Sequence, residues 1–279
     1  MSVESLFCVA GKNVVLTGGA GVLCRELAVA LVRGGASVVL IGRTLEKLQA
    51  VAEQCRQAAA GCGSAANVFA LAADVTNESQ VRAACLQSVE KLGGLDVLIN
   101  GAGGNKREAT ARPDHLFFDI PPAALREVFD LNNIGTMLPC QVFGQVLAKQ
   151  QAGNIINFTS MAAFRPLTNV VGYAAAKAAI SNFTQWLAVY MAGISPNIRV
   201  NAIAPGFFLT EQNRFLLTDQ TTGGLTPRGQ AVIGHTPMKR FGDPADLIGA
   251  LFYLVSDASR FVTGSVLAVD GGFNAFAGV

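Results

Sequence analysis

Charge is scarce in this 279-residue chain: Asp, Glu, Lys and Arg make up 14% of it, and the formal balance of +2 is scattered without any run of like sign. That excludes a basic strip for nucleic acid. Metal ligands are scarce as well, with two histidines and no Cys-x-x-Cys pair among Cys8, Cys24, Cys55, Cys62, Cys85 and Cys140. No zinc or other metal site is expected. The cysteines sit in apolar or helical contexts, which indicates reduced thiols and a cytoplasmic protein. No apolar run reaches the ~18 residues a membrane span needs. Met1 to Lys12 carries Glu4 and lacks a basic stretch ahead of an apolar one, so it does not read as a secretory signal.

Apolar residues, by contrast, make up 51% of the chain, enough to bury one large core. One domain over residues 1–279 is the expectation. Short β-branched runs alternate with Ala/Leu-rich segments of helical length, the pattern of an α/β, doubly wound parallel sheet with helices on both faces. Seven strands are predicted, at Asn13 to Thr17, Ser37 to Ile41, Asn67 to Ala72, Leu95 to Ile99, Asn154 to Phe158, Arg199 to Ile203 and Val266 to Val269. Helices are predicted at Val22 to Arg33, Leu45 to Ala60, Glu78 to Leu92, Ala123 to Gln151 with a break near Pro139, Tyr173 to Ala192 and Pro244 to Ser256. The stretches 103–122 and 206–243 break the rhythm. Both are long, follow strand ends and are rich in Gly, Pro, Thr and charge, which predicts substrate loops.

The first strand runs through Thr17-Gly18-Gly19-Ala20-Gly21 into a helix. There a glycine backbone can approach a pyrophosphate and the helix N-terminus can stabilise its charge. Asp74, after the third strand, can accept from an adenine amino group, and Asn100-Gly101-Ala102-Gly103 closes the fourth. Plain turn chemistry would explain these glycines equally well. Ser160, Tyr173 and Lys177 are more specific. Tyr173 and Lys177 are four apart on a predicted helix and share a face, so the ammonium can lie near the phenol. A phenol titrates near pH ~10, and a neighbouring cation is expected to lower it toward neutrality, making it an acid or base. Ser160, at a strand end, can donate to the oxygen of a carbonyl or alkoxide.

With Asn132 in Asp130-Leu131-Asn132, Pro205-Gly206 and Asp270-Gly271-Gly272 added, the order of motifs resembles the short-chain dehydrogenase/reductase family over nearly the whole chain. The resemblance implies a Rossmann-type, seven-stranded fold that moves hydride between NAD or NADP and an alcohol/ketone pair. It implies a catalytic set of Asn132, Ser160, Tyr173 and Lys177, with Asn132 holding a water that relays protons to Lys177. It also implies cofactor contacts from Gly18, Gly19, Gly21, Val22, Leu23, Asp74, Val75, Asn100, Ala102, Gly103, Tyr173, Lys177, Pro205, Gly206, Phe208 and Thr210, and a homotetramer or homodimer. One departure stands out: the family's glycines at positions 22 and 24 are Val22 and Cys24 here, with Cys24 small enough to take a packing role. A reactive thiol is the alternative.

The segments around Asn154-Ile155-Ile156-Asn157, Phe164-Arg165-Pro166, Phe183-Thr184-Gln185-Trp186 and Phe207-Phe208-Leu209-Thr210 are similar to the D-mannonate oxidoreductase (fructuronate reductase) branch. That implies a sugar-acid substrate, and NAD. The second strand argues for NADP, since it ends in Ile41-Gly42-Arg43-Thr44, with Gly42 where an acidic residue would favour NAD and, beside it, the Arg43 guanidinium able to pair with a phosphate. Substrate contacts are expected from Asn105, Arg165, Asn213, Arg214 and His235. Arg165 would hold the carboxylate, assisted by Arg214, Lys106 or Arg107. Two other readings remain open: a reductase of another carbonyl, such as a 3-oxoacyl thioester or ketodeoxy sugar acid, and a catalytically silent nucleotide-binding scaffold.

Overall fold

In β1, Asn13–Thr17, the residues from Val14 onward are buried although no two neighbours point the same way. Val14 and Leu16 pack into one apolar layer and Val15 into another. In β2, Ser37–Gly42, Val38 and Leu40 divide from Val39 and Ile41 in the same manner. This period of two buries both faces, so the strand sequences run apolar without alternation.

The computed structural model describes residues 2–210, 214–219 and 221–278. A short helix α1 (Val3–Leu6) precedes β1, and α2 (Val22–Arg33) leads to β2. Next come α3 (Leu45–Gly61), β3 (Val68–Ala72), α4 (Glu78–Leu92) and β4 (Val97–Asn100). Helices α5 (Pro122–Phe129) and α6 (Gly135–Gln150) lead to β5 (Gly153–Phe158), then α7 (Val171–Ile194) and β6 (Ile198–Pro205). The chain closes with α8 (Arg214–Leu217), α9 (Pro227–His235), α10 (Ile248–Val255) and β7 (Val266–Val269). The seven strands form one parallel sheet in the order β3-β2-β1-β4-β5-β6-β7. One apolar layer joins α2, α3 and α10 to the sheet; the other joins α4, α6 and α7. The order reverses between β1 and β4, and the carboxyl ends of strands at such a reversal leave a crevice.

The predicted strands and helices are present, with shifts at their ends. The long helix from Ala123 is interrupted at the π turn Asp130–Ile134, while Pro139, the predicted break, lies inside α6. Proline lacks the amide that would pair four residues back, and the wider turn just upstream absorbs that mismatch. Side chains bond carbonyls within this irregular stretch: the Thr136 hydroxyl donates to Asn132 O (2.9 Å) and the Asn132 amide to Val128 O (2.7 Å). The predicted loops hold structure of their own. Residues 103–122 contain 3-10 turns at Arg107–Ala109 and Phe117–Asp119, and 206–243 contain α8 and α9. Thr226 caps α9 by accepting from Gly229 N, with Pro227 as first residue, a helix start written in the sequence.

Candidate active site

The crevice is built first from glycine. Gly18 has φ of +71°, and a Cβ there would lie 2.7 Å from Ala102 N, so β1 and the turn after β4 approach as closely as backbones can. Thr17 Oγ1 accepts from Ala102 N at 3.3 Å and locks the two strand ends together. Gly21 N donates to Gly18 O (2.8 Å), and Gly21 is the N-cap of α2. Gly18 and Gly21 line the crevice. Gly19, expected beside them, serves packing instead: its Cβ would meet Leu40 Cβ at 2.9 Å, and its amide donates to Ile41 O.

Cys24 takes the packing role. It is buried, and a Cβ on Gly101 would come within 2.3 Å of its sulfur, so thiol and glycine fit one another. Burial pushes the thiol up to about 12, which leaves it protonated and a poor nucleophile.

Two hollows meet along this line. The outer one, about 280 Å³, is lined by Gly18, Gly21, Arg43, Thr44, Lys47, Asp74, Val75, Ala102 and Gly103. The inner one, about 360 Å³, is lined by Gly21, Val22, Leu23, Asn105, Ser160, Tyr173, Lys177, Pro205, Gly206, Phe207, Phe208 and Thr210. They share Gly21, Gly101 and Gly103 and form one trough. A dinucleotide fits this shape: a glycine cradle and helix N-terminus in the middle, a carboxylate and cations at one end, and a tyrosine and lysine at the other. Asp74 Oδ1 accepts from the amide (2.9 Å) and hydroxyl (2.7 Å) of Thr76, bonds that hold the carboxyl below its ordinary value. The Asn100 side chain does not serve the trough. It is buried between strands, donating to Asn157 Oδ1 (2.9 Å) and Cys140 Sγ (3.1 Å).

Ser160, Tyr173 and Lys177 come together in the inner hollow. Ser160 follows β5 and caps a 3-10 turn, its Oγ accepting from Ala162 N at 3.1 Å. Lys177 is buried, donates from Nζ to Phe158 O at 2.8 Å, and lies 5.7 Å from the centre of the Tyr173 ring. Burial lowers this lysine to about 8. The phenol of Tyr173 is moved upward rather than downward: burial raises it, and the hydrogen bond from Ser160 only partly opposes that. The expected lowering by Lys177 is absent: burial dominates, and the ammonium is hydrogen-bonded to the Phe158 carbonyl. In this state Tyr173 is a protonated phenol, a donor rather than a base.

Asn132 reaches the same place from the π turn. Its Oδ1 accepts from Gly104 N (3.2 Å) and its Nδ2 donates to Gly104 O (2.7 Å). A Cβ on Gly103 would lie 2.8 Å from Asn132 Oδ1 and 3.0 Å from Lys177 Nζ, so both groups face one glycine.

The expected substrate residues are dispersed. Asn105 lines the inner hollow and donates to Thr110 Oγ1 (2.9 Å). Lys106 is paired with Glu127, and Arg107 is exposed. Arg214 is exposed at the start of α8 and does not line the trough, and Asn213 lies outside the described residues. Arg165 and His235 line a separate hollow of about 420 Å³. Arg165 donates from Nε (3.1 Å) and Nη2 (2.8 Å) to Asn274 O, and His235 stands edge-on to Phe273 and Phe276. Phe207 borders both this hollow and the inner one. Phe207 lies in a segment the sequence singled out, whereas Arg228, Phe273 and Phe276 were not singled out. Only the Thr226-Pro227 helix start gave a signal near them.

The sequence profile described as Enoyl-(Acyl carrier protein) reductase matches residues 19–274. The chain is 46% identical to an uncharacterized oxidoreductase, UxuB, of Bacillus subtilis (strain 168), over 97% of each. It is 34% identical to the 5-keto-D-gluconate 5-reductase of Escherichia coli (strain K12), covering 96% of this chain and 98% of that one. A crystal structure with bound NAD, of a protein from Haemophilus influenza proposed to be a D-mannonate oxidoreductase, superposes with a TM-score of 0.89 at 41% identity and 97% coverage of both chains. The fold and site define a Rossmann-type oxidoreductase. The chain belongs to the short-chain dehydrogenase/reductase family, whose cofactor is NAD or NADP.

Proposed function

We propose that the protein interconverts a secondary alcohol and a ketone on a sugar acid of the D-mannonate/D-fructuronate type. The observation that carries this is the meeting of Ser160, Tyr173 and Lys177 at one end of a glycine-cradled trough, with Asn132 against the same wall. The nicotinamide dinucleotide, when bound, supplies or accepts the hydride. Gly18, Gly21, Val22, Leu23, Ala102, Gly103, Asp74 and Val75 would hold its pyrophosphate and adenosine parts, and Lys177, Pro205, Gly206, Phe208 and Thr210 its nicotinamide end.

For reduction, Tyr173 gives its phenolic proton to the carbonyl oxygen as that oxygen becomes a hydroxyl; in oxidation it takes the proton back. Burial keeps the phenol protonated until then. The Ser160 hydroxyl donates to the same oxygen and fixes its position. Lys177, a cation below about pH 8 and 5.7 Å from the centre of the Tyr173 ring, would stabilise the phenolate left behind once its ammonium turns from the Phe158 carbonyl toward that oxygen. Asn132, facing Lys177 across Gly103, would hold the water that restores the proton.

Sugar acid as the substrate class draws support from the relatives' names and from Arg165 beside the inner hollow. The segments 103–122 and 206–243 would cover the substrate, within one domain. Arg43 and Lys47 line the adenosine end and favour a 2′-phosphate, while the Haemophilus relative holds NAD. Among the described residues no helix is long and apolar enough to cross a membrane. The free thiols suit the reducing cytoplasm. On α7, Phe183, Trp186 and Tyr190 stack in a row with Trp186 and Tyr190 largely exposed, a face suited to a homodimer or homotetramer. The deciding assay is turnover of D-mannonate, D-fructuronate, 5-ketogluconate, a ketodeoxy sugar acid and a 3-oxoacyl thioester with each cofactor. Turnover of the thioester alone would overturn the sugar-acid reading.

A further inference from the structure

Among the described residues, the hollow that holds Arg165 is lined by two guanidiniums and no carboxylate: Arg165, Arg228 and His235 stand there with Phe207, Phe273 and Phe276 as apolar wall. Among the described residues, Arg165 is engaged with the neutral Asn274, through its carbonyl and its Oδ1. Arg228, half-buried in the first turn of α9, takes part in no ion pair among the described residues. Arg165, exposed, and Arg228, half-buried, line the same recess, and a guanidinium matches a carboxylate through two parallel hydrogen bonds. Elsewhere the protein pairs such groups internally, as Arg240 is with Asp246.

Phe207 makes this separate recess a neighbour of the catalytic hollow. Phe207 follows directly on Pro205-Gly206 and borders both spaces. Arg165 is carried on the segment between Ser160 and Tyr173, while Arg228 comes from α9, so the two cations reach the recess from independent elements. His235, held edge-on between Phe273 and Phe276, adds a ring nitrogen and closes the third side.

We infer that Arg228 is a substrate-binding residue that, with Arg165, takes the carboxylate of a polyhydroxy acid whose reacting carbon lies at Ser160 and Tyr173. This rests on the sugar-acid reading above and adds a residue that the reading does not use. The Asn274 carbonyl positions the Arg165 guanidinium, and Arg228 supplies the second charge. A carboxylate of this kind is distinguished from an uncharged polyol or ketone by charge alone.

The test compares wild type, Arg228→Ala and Arg228→Lys on D-mannonate and D-fructuronate and on their uncharged counterparts D-mannitol and D-fructose. Cofactor affinity is measured separately by calorimetry. Loss of a charge-assisted pair is expected to raise KM for the acid about tenfold to a hundredfold in Arg228→Ala, with kcat little changed and cofactor affinity intact. Arg228→Lys should recover part of the loss, and activity on the uncharged compounds should not move. If wild type turns over the acid and Arg228→Ala does so with unaltered KM, the inference fails while the sugar-acid reading stands. An equal loss on acid and uncharged compounds overturns it too, marking a structural role. If wild type turns over no sugar acid, both fail together.

Discussion

The trough and the loops above it obey different rules. In the trough every important position is fixed by neighbours that cannot move far: Gly18 sits against the Ala102 backbone, Cys24 against Gly101, and Lys177 against the Phe158 carbonyl. In the loops, polar groups satisfy one another on the surface, as Lys106 does with Glu127 and Arg112 with Asp114. Substitutions in the trough should therefore be costly and specific. Most charged positions in the loops should tolerate change, and those that do not are the ones facing a recess.

The largest effect belongs to Tyr173→Phe. It removes the phenolic hydroxyl proposed to give up the proton and leaves the glycine cradle untouched, so kcat should fall ~10²-fold or more while cofactor affinity stays within a few-fold. Lys177→Ala, which also loses the nicotinamide end of the trough, should harm both. Stopped-flow hydride transfer together with cofactor titration separates the two. Retention of a tenth of the wild-type rate in Tyr173→Phe would remove it as the acid.

Lys177 carries a second, smaller effect on stability. Its folded value of about 8 lies below its ordinary 10.5, so between those pH values the unfolded chain holds the extra proton. The contribution of this group to stability therefore rises as pH climbs from about 8 to about 10.5, by about 3 kcal/mol. Below about 8 it is flat, because both states are charged. Lys177→Met should abolish turnover, yet stabilise the protein at pH 7 by roughly 1–3 kcal/mol, since a desolvated cation is replaced by an apolar chain of similar length. Urea denaturation at pH 7 and pH 10 reads this directly. Equal pH slopes for variant and wild type would show that burial does not penalise the ammonium.

Cofactor choice should shift more modestly. Arg43 is exposed at the end of β2, and Lys47 lines the same hollow from α3. Arg43→Ala should lower the ratio of catalytic efficiencies, NADP over NAD, by about tenfold, the worth of one charge-assisted bond to a 2′-phosphate. An unchanged ratio would take Arg43 out of cofactor selection.

What could be read from the chain follows the same division. β1, α2 and α4 were legible to the residue because β-branched runs, glycine turns and caps are local signals, such as Asn77 accepting from Gln80 N at the start of α4. The meeting of Tyr173 and Lys177 was legible because a helix puts them on one face. The upward displacement of the Tyr173 phenol was not, since it comes from how deeply the folded chain buries that side chain. The π turn was missed because Pro139 is the visible helix breaker, whereas the irregularity lies upstream and is tied by Asn132 and Thr136. In the loops, charge alone could not tell Arg165 from Lys106 or Arg214. Which cation meets a carboxylate is decided by chain far away, as when Asn274 receives Arg165 from 109 residues off.

The smallest expected effect is also the one that tests this division most sharply. Lys106 and Arg165 are both loop cations that composition ranks equally, and both were candidates to hold the substrate's carboxylate. Lys106 is already paired with Glu127 on α5, and both side chains are about half exposed. Such a pair is worth little, ~0–1 kcal/mol, because water and salt screen it. Lys106 is therefore not available as a free charge, and releasing it for a substrate would return nothing beyond what the pair already provides. Lys106→Ala should leave KM for the sugar acid within about threefold of wild type, leave cofactor affinity alone, and change stability by no more than that surface pair is worth. Arg165→Ala, with its guanidinium in an uncompensated recess, should raise KM at least tenfold. Steady-state kinetics of the two variants at low and physiological salt make the comparison. A tenfold rise in KM from Lys106→Ala would mean that the segment 103–122 gives up its pairing with α5 when substrate binds. The loops would then act as a closing clamp, with the surface ion pair as the latch that substrate releases.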